Sequence, residues 1–281
     1  MRGALRIQAQ RAKLFRARPA GPDTRVVAGG GRWQHGTMES QGNTTAQHPD
    51  AAARSLAEIR RRMAAAEARS GRSPGSTRLV AVGKTFPARS VLGLRGAGQQ
   101  HFGENRVQEA LAKAAEVAVE DIQWHLVGHL QRNKVRAAAG LFSWIHSVGD
   151  ADLARRLSMA AVDAGRMIKI LVQVDMTGES GRSGVAPAQL PELLQAAGNL
   201  PGLEARGLMV LPPWLEETEE IRPYFRRLRK LAEQAAARGL LSAEFDLSMG
   251  MSRDFEIAIE EGATLVRVGT ALFGPRAPLS R

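Results

Sequence analysis

Short apolar runs alternate along the chain with longer segments in which apolar residues recur at helical spacing. The runs are typical of strands, and the longer segments are typical of amphipathic helices. The predicted strands are Arg78–Val82, Gln100–Phe102, Ile122–Val127, Trp144–Ser147, Ile168–Val174, Glu204–Val210, Glu244–Leu247 and Leu265–Val268. The predicted helices include residues 50–69, Arg89–Arg95, Val107–Val117, Asp150–Ala164, Pro187–Ala197, Glu216–Arg238 and Asp254–Glu261.

Several of the predicted strands are apolar on both faces. The segment Ile168–Val172 has Lys169 as its one polar residue, which is typical of a parallel strand covered by helices on both sides. No long antiparallel section interrupts the alternation, so a closed barrel is favoured over an open doubly wound sheet. We therefore predict a single (β/α)8 TIM-type barrel with an N-terminal helix and no β-rich second domain.

Residues 1–48 differ from the rest of the chain. Residues 1–37 contain eight basic residues and one acidic residue, Asp23. This segment contributes +7 to the net charge of +11, and the rest of the chain contributes +4. Because this segment lacks a helical or strand period, we predict a disordered basic extension and a barrel domain over residues 49–281. A start assigned too early, with Met38 as the true start, is the alternative. A transit peptide would be rich in serine, and no serine precedes Ser40.

Composition narrows the classes of site and partner. The chain has no cysteine, which excludes disulfides and thiolate sites and permits a reducing compartment. No apolar stretch approaches the roughly 20 residues that cross a bilayer, and the six histidines lack ligand spacing. The basic extension carries no nucleic-acid-binding motif. We expect a cytoplasmic protein without a metal, a membrane contact or a nucleic-acid partner.

Lys84 is the most distinctive polar residue at the strand ends. It directly follows the apolar run Leu79–Gly83, and the working face of such a barrel is the end at which its strands terminate. Desolvation lowers the pKa of a lysine, and a neutral amine forms a Schiff base with an aldehyde. The alternative is a lysine that extends to solvent or pairs with Glu104.

Two turns after the last two strands have the composition of an anion site. They contain Ser248-Met249-Gly250 and Gly269-Thr270, and a phosphate site at these loops recurs in barrels. The alternative is ordinary turn chemistry with Ser252 as a helix cap. Arg267 lies among apolar residues and needs a partner, which is either a structural carboxylate or a ligand group.

Other polar and sulfur-containing residues fall near the same strand ends. Asn105 follows the second strand, His125 lies near the end of the third and Met209 is near the end of the sixth. A histidine in an apolar strand is more often a satisfied core residue than a ligand-binding one. Residues alone therefore leave the role of His125 open.

Eight motifs follow one another in a fixed order along the chain: Val80–Thr85, Phe102–Asn105, Trp124–Gly128, Leu130–Lys134, His146–Val148, Gly207–Met209, Leu247–Phe255 and Val266–Gly274. Together they resemble the motifs of the pyridoxal phosphate homeostasis protein family. These are barrel proteins related to the alanine racemase N-terminal domain, without an established metabolic reaction. The resemblance covers roughly residues 50–276.

The resemblance implies pyridoxal 5′-phosphate as cofactor, carried by Lys84 as an internal aldimine. It implies that Ser248, Gly269 and Thr270 bind the phosphate and that Arg267 lies near the pyridine nitrogen, which weakens the ring as an electron sink. The full cofactor-binding set expected from the resemblance is Lys84, Asn105, His125, Met209, Ser248, Met249, Arg267, Gly269 and Thr270.

Four positions depart from the family pattern, one of which is Phe86, where relatives often have a basic residue. Gly83 stands where relatives often have serine, Arg106 where a tyrosine is usual, and Arg182 where a lysine is common. An arginine cannot form an aldimine, so Arg182 puts in doubt any transfer route that uses that lysine.

The resemblance favours a non-catalytic carrier that buffers the cofactor and supplies it to apoenzymes, and single-domain relatives lead us to expect a monomer. The alternative is a racemase or decarboxylase of the same barrel type. Those enzymes add a β-rich domain, and the racemases use a tyrosine as an acid/base group. The one tyrosine here, Tyr224, lies in a predicted outer helix.

Overall fold

Eight strands, numbered in chain order, form a closed parallel barrel in the computed structural model, which describes residues 49–179 and 183–274. The strands are β1 (Arg78–Val82), β2 (His101–Glu104), β3 (Gln123–Leu126), β4 (Trp144–Val148), β5 (Ile168–Val174), β6 (Leu203–Val210), β7 (Asp246–Ser248) and β8 (Leu265–Val268). Each strand pairs with its neighbours in the sequence, and β1 closes the barrel by pairing with β8. The predicted barrel is confirmed.

Helices precede β1, connect the successive strands and follow β8. They are α1 (Pro49–Arg69), α2 (Ala88–Gly96), α3 (Val107–Val117), α4 (Val135–Leu141), α5 (Ala151–Asp163), α6 (Leu190–Gly198), α7 (Arg222–Ala237), α8 (Phe255–Glu260) and α9 (Thr270–Phe273). The sequence pattern did not predict α4, which has only seven residues. The predicted helix 216–238 is shorter than expected, because a 3-10 turn at Thr218–Ile221 precedes α7.

Two apolar clusters stabilise the barrel. The larger one lies between the strands and the helices and includes Leu56 and Ile59 of α1, each 2% exposed. The smaller one fills the barrel interior and consists of Val80, Val82, Val127, Trp144, Leu171, Met209 and Leu265. Strand β5 contributes to both clusters, as its nearly continuous apolar sequence predicts.

The basic N-terminal extension and Arg182 lie outside the described residues, so the predictions made for them remain predictions. Within the described ranges, no helix is both long and apolar enough to span a membrane.

Gly250 shapes the loop that follows β7. Its φ is +87°, and a Cβ atom there would lie 2.6 Å from the Cβ of Ala258 and 2.9 Å from the Cα of Phe255. Both the left-handed backbone and the close approach of α8 therefore require glycine. This loop carries residues of the cavity described below.

We predict that Gly250→Ala lowers the free energy of unfolding by about 1–3 kcal/mol, because the substitution strains the backbone and collides with α8. The matched control is Gly140→Ala in α4, where an added Cβ has no neighbour within 4 Å. That control should stabilise the protein by roughly 0.5–1 kcal/mol. Urea unfolding of both variants measures the difference, and equal stabilities would contradict the account of this loop.

Candidate functional site

A cavity of about 570 Å³ opens at the end of the barrel where the strands terminate. Loops that follow β1, β2, β3, β6, β7 and β8 line it. Five residues of the predicted set line the cavity, namely Lys84, Asn105, Arg267, Gly269 and Thr270. Its volume lies within the range of small-molecule sites. Polar groups that are distant in sequence therefore meet in one space.

Lys84 lies at the tip of a tight turn directly after β1. The N–H of Phe86 donates to the carbonyl of Gly83 at 3.0 Å and closes this turn. Thr85 adopts a φ of +69°, which is uncommon for a non-glycine residue and frequent at ligand sites. Stacking of Phe86 on Phe273, with ring centroids 4.9 Å apart, anchors the turn. Lys84 is half-buried at the cavity wall.

A buried ion pair lies behind the Lys84 turn. The ammonium of Lys113 donates to Glu104 Oε1 and, at 2.6 Å, to the carbonyl of Gly83. Burial raises the pKa of Glu104 to about 6, and the charges of Lys113 and Lys84 oppose that rise. Glu104, which the sequence alternative paired with Lys84, accepts a hydrogen bond from Lys113, which the sequence analysis missed. The charge of Lys84 also acts on Glu104.

Arg267 projects from β8 and is only 4% exposed. Its guanidinium donates to Ser248 Oγ at 2.6 Å and to the carbonyl of Val210 at 3.0 Å. Both acceptors are neutral, so the structural carboxylate that was one of its two possible partners is not a hydrogen-bond acceptor of Arg267 among the described residues. Burial lowers the pKa of Arg267 to about 10, and the charge of Asp254 opposes this effect. Arg267 therefore remains a cation at neutral pH.

Three hydrogen-bonding groups cluster beside the cavity between β7 and β8. Ser252 Oγ lies 3.3 Å from the backbone N–H of Gly269 and 3.4 Å from the hydroxyl of Thr270. The alternative to a phosphate site had Ser252 as a helix cap, but Asp254 occupies the N-cap position of α8. The presence of a second serine in the segment Ser248–Ser252 could have indicated that Ser252 lies beside the cavity.

Four residues of the predicted set are fully buried and do not line the cavity: His125, Met209, Ser248 and Met249. Met209 packs in the interior cluster and Met249 in the outer one. Ser248 Oγ accepts a hydrogen bond from Arg267 inside the barrel. The expectation that these four residues take part in cofactor binding therefore remains a prediction.

Three histidines cross the barrel interior in a hydrogen-bonded series, here called the histidine row. His101 Nδ1 lies 3.0 Å from His125 Nε2, and His125 Nδ1 lies 2.9 Å from His146 Nε2. His146 Nδ1 lies 2.8 Å from Ser248 Oγ. Burial holds the pKa of His125 and His146 well below the usual range, and burial lowers the pKa of His101 to about 4. His125 is thus a satisfied core residue.

An apolar rim borders the cavity on the β6 side. Leu211, Pro212, Pro213 and Trp214 follow β6 and line the opening. Trp214 is 76% exposed, and the guanidinium of Arg253 lies 3.9 Å from its ring centroid.

No group of three or more histidine or acidic side chains suited to a metal occurs within the described ranges.

Comparison with known proteins first defines the class of barrel. Residues 55–277 match the family model of the alanine racemase N-terminal domain, and the chain belongs to this family. Alanine racemase from Clostridium difficile shares this fold at a TM-score of 0.58, with 14% identity over 72% of this chain and 53% of the racemase. At that identity the likeness concerns the fold alone.

Nearer relatives define the group within that class: the chain belongs to the pyridoxal phosphate homeostasis proteins. It is 43% identical to the protein of that name from Pseudomonas aeruginosa, over 80% of this chain and 95% of the relative. It is 40% identical to the Aquifex aeolicus protein, over 79% and 96%. The structure of PipY from Synechococcus elongatus with PLP bound matches at a TM-score of 0.71 and 41% identity, over 79% of this chain and all of that one.

The histidine row predicts a loss of stability in acid. Because the folded-state pKa of His101 is lowered from 6.5 to about 4, the unfolded chain binds more protons between these values. The free energy of unfolding therefore falls as the pH drops below 6.5. His101→Gln should reduce this slope by up to about 1.4 kcal/mol per pH unit. Urea unfolding at several pH values tests this, and an unchanged slope in the variant would refute it.

Proposed function

We propose that this chain binds pyridoxal 5′-phosphate (PLP) covalently through Lys84 and acts in intracellular PLP homeostasis, buffering the cofactor and supplying it to PLP-dependent apoenzymes. The observation that carries the proposal is the convergence of Lys84, Arg267 and the Ser252–Thr270 hydroxyls on one cavity. The names of the relatives and the PLP-bound PipY structure support the same cofactor.

The donor set fits the chemical groups of PLP. Lys84 provides a primary amine for the aldehyde. Ser252, Thr270 and the N–H of Gly269 provide neutral donors for the phosphate, and Arg267 provides a donor for the pyridine nitrogen. Lys84, Arg253 and Arg267 outnumber Asp254 among the charged residues that line the cavity, so the site favours an anion.

Arg267 supports a carrier role. PLP, when bound, supplies an electrophilic carbon and a ring that withdraws electrons most strongly when its nitrogen is protonated. A guanidinium with a pKa of about 10 only donates hydrogen bonds near neutral pH. Arg267 thus keeps the ring nitrogen unprotonated and limits carbanion chemistry.

The absence of a phenol at the cavity among the described residues also favours a carrier over a racemase. The one tyrosine of the chain, Tyr224, is on α7 and packs against the outer core. It is therefore not placed to exchange a proton with a substrate in the cavity. We propose a non-catalytic role on this basis, and the expected monomeric state and cytoplasmic location remain predictions.

Covalent attachment is tested by borohydride reduction of the PLP-loaded protein followed by peptide mass spectrometry. We expect the modification on Lys84 and its loss in Lys84→Arg, which keeps the charge but cannot form the linkage. Lys134→Arg is the matched control and should be modified as in wild type. Attachment to another lysine, or to none, would refute the proposed site.

The phosphate donors are tested by equilibrium binding of PLP. Removing one donor to a charged group weakens binding by about 1.5–3 kcal/mol, or roughly ten- to a hundredfold. We expect this loss for Ser252→Ala and Thr270→Val. Ser242→Ala, in the loop before β7 at the other end of the barrel, is the control. Unchanged affinity in both site variants would place the phosphate elsewhere.

The homeostatic role is tested by mixing the PLP-loaded protein with a PLP-dependent apoenzyme and following reactivation. We expect reactivation with wild type and none with Lys84→Arg treated in the same way. Robust turnover of alanine or lysine by the purified protein would instead favour the racemase or decarboxylase alternative.

A further inference from the structure

The histidine row joins the opposite end of the barrel to Arg267. His101 is the first residue of β2 and lies near Arg78 and Lys169, whose charges help to lower its pKa. From there the series passes through His125 and His146 to Ser248. Every ring nitrogen of His125 and His146 has a partner, so this polar row is satisfied inside an apolar interior.

Arg267 determines which partner donates at the first link. A guanidinium has only donors, so Ser248 Oγ must accept from Arg267. Ser248 is fully buried, and its remaining partner among the described residues is His146 Nδ1. If His146 donated instead, the serine hydroxyl proton would be left buried without an acceptor, at a penalty of about 1–3 kcal/mol. Ser248 therefore donates to His146 Nδ1.

The same assignment propagates along the row. Because His146 accepts at Nδ1 and burial keeps it neutral, its proton is on Nε2 and is donated to His125 Nδ1. His125 then carries its proton on Nε2 and donates to His101 Nδ1. A row of neutral histidines alone could run in either direction, so its direction depends on Arg267.

We propose that the histidine row is a directional hydrogen-bond chain, neutral and protonated at Nε2 throughout, that positions Ser248 as an acceptor for Arg267. This inference rests on the proposed function for its purpose, since Arg267 is the group assigned to the pyridine nitrogen. The row gives Arg267 a fixed neutral acceptor in place of a carboxylate. The guanidinium thereby keeps its orientation toward the cavity, where Asp254 is the acidic residue that acts on its charge.

The direction of the row is tested by NMR of the full-length protein labelled with ¹⁵N-histidine, without added PLP. At neutral pH we expect the Nε2–H tautomer for His125 and His146. An Nδ1–H tautomer or an imidazolium at either residue overturns the proposal. This measurement requires no substitution, so it does not depend on the folding of a variant.

Two serine variants test the dependence on Ser248. Ser248→Ala should abolish the single tautomer of His146, because its Nδ1 loses its donor. Ser158→Ala is the matched control, since Ser158 is also buried but donates to the carbonyl of Pro201 outside the row. Ser248→Thr retains the hydroxyl and should restore the wild-type spectrum. An unchanged His146 in Ser248→Ala, or an equal change in Ser158→Ala, overturns the proposal.

The link to the cofactor is read from the absorbance of bound PLP as a function of pH. We expect its titration midpoint to shift in Ser248→Ala and to match wild type in Ser158→Ala and Ser248→Thr. An identical midpoint in all three overturns the positioning role. Failure of wild type to bind PLP at Lys84 would defeat the proposed function, while the tautomer measurement would still decide the direction of the row.

Discussion

The hydrogen bond between Arg267 and Ser248 is the constraint on which the site depends. It holds a cation inside the barrel with only neutral acceptors, and leaving such a charge unsatisfied would cost several kcal/mol. The hydroxyl oxygen of Ser248 and the carbonyl of Val210 accept hydrogen bonds from the guanidinium of Arg267, which also lines the cavity. From Ser248, the histidine row extends this hydrogen-bonded series to the opposite end of the barrel.

The fold was largely predictable from the sequence, because buried parallel strands leave apolar runs and the connecting helices leave a distinct period. The short helix α4 was missed, since seven residues carry too few apolar repeats to show that period. The position of Lys84 was also predictable, because a strand end marks the working face of a barrel. The strained turn at Thr85 that holds it there left no signal in the residue types.

The side chains around Arg267 were harder to predict, because strand alternation does not tell which buried polar groups meet. Ser248, which the resemblance assigned to the phosphate, is buried and hydrogen-bonded to Arg267, and Ser252 four residues later lines the cavity. Lys113 is on α3, and its link to Glu104 depends on how that helix packs on β2. Contacts of this kind are set by tertiary packing and not by local pattern.

A crystal structure of the PLP-loaded protein would test the central claim most directly, because it locates all three groups of the cofactor together. The account predicts continuous density from Lys84 Nζ to the cofactor, the Arg267 guanidinium within hydrogen-bond distance of the ring nitrogen, and the phosphate against Ser252 and Thr270. A carboxylate at the ring nitrogen, or a cofactor bound away from Lys84, would contradict it.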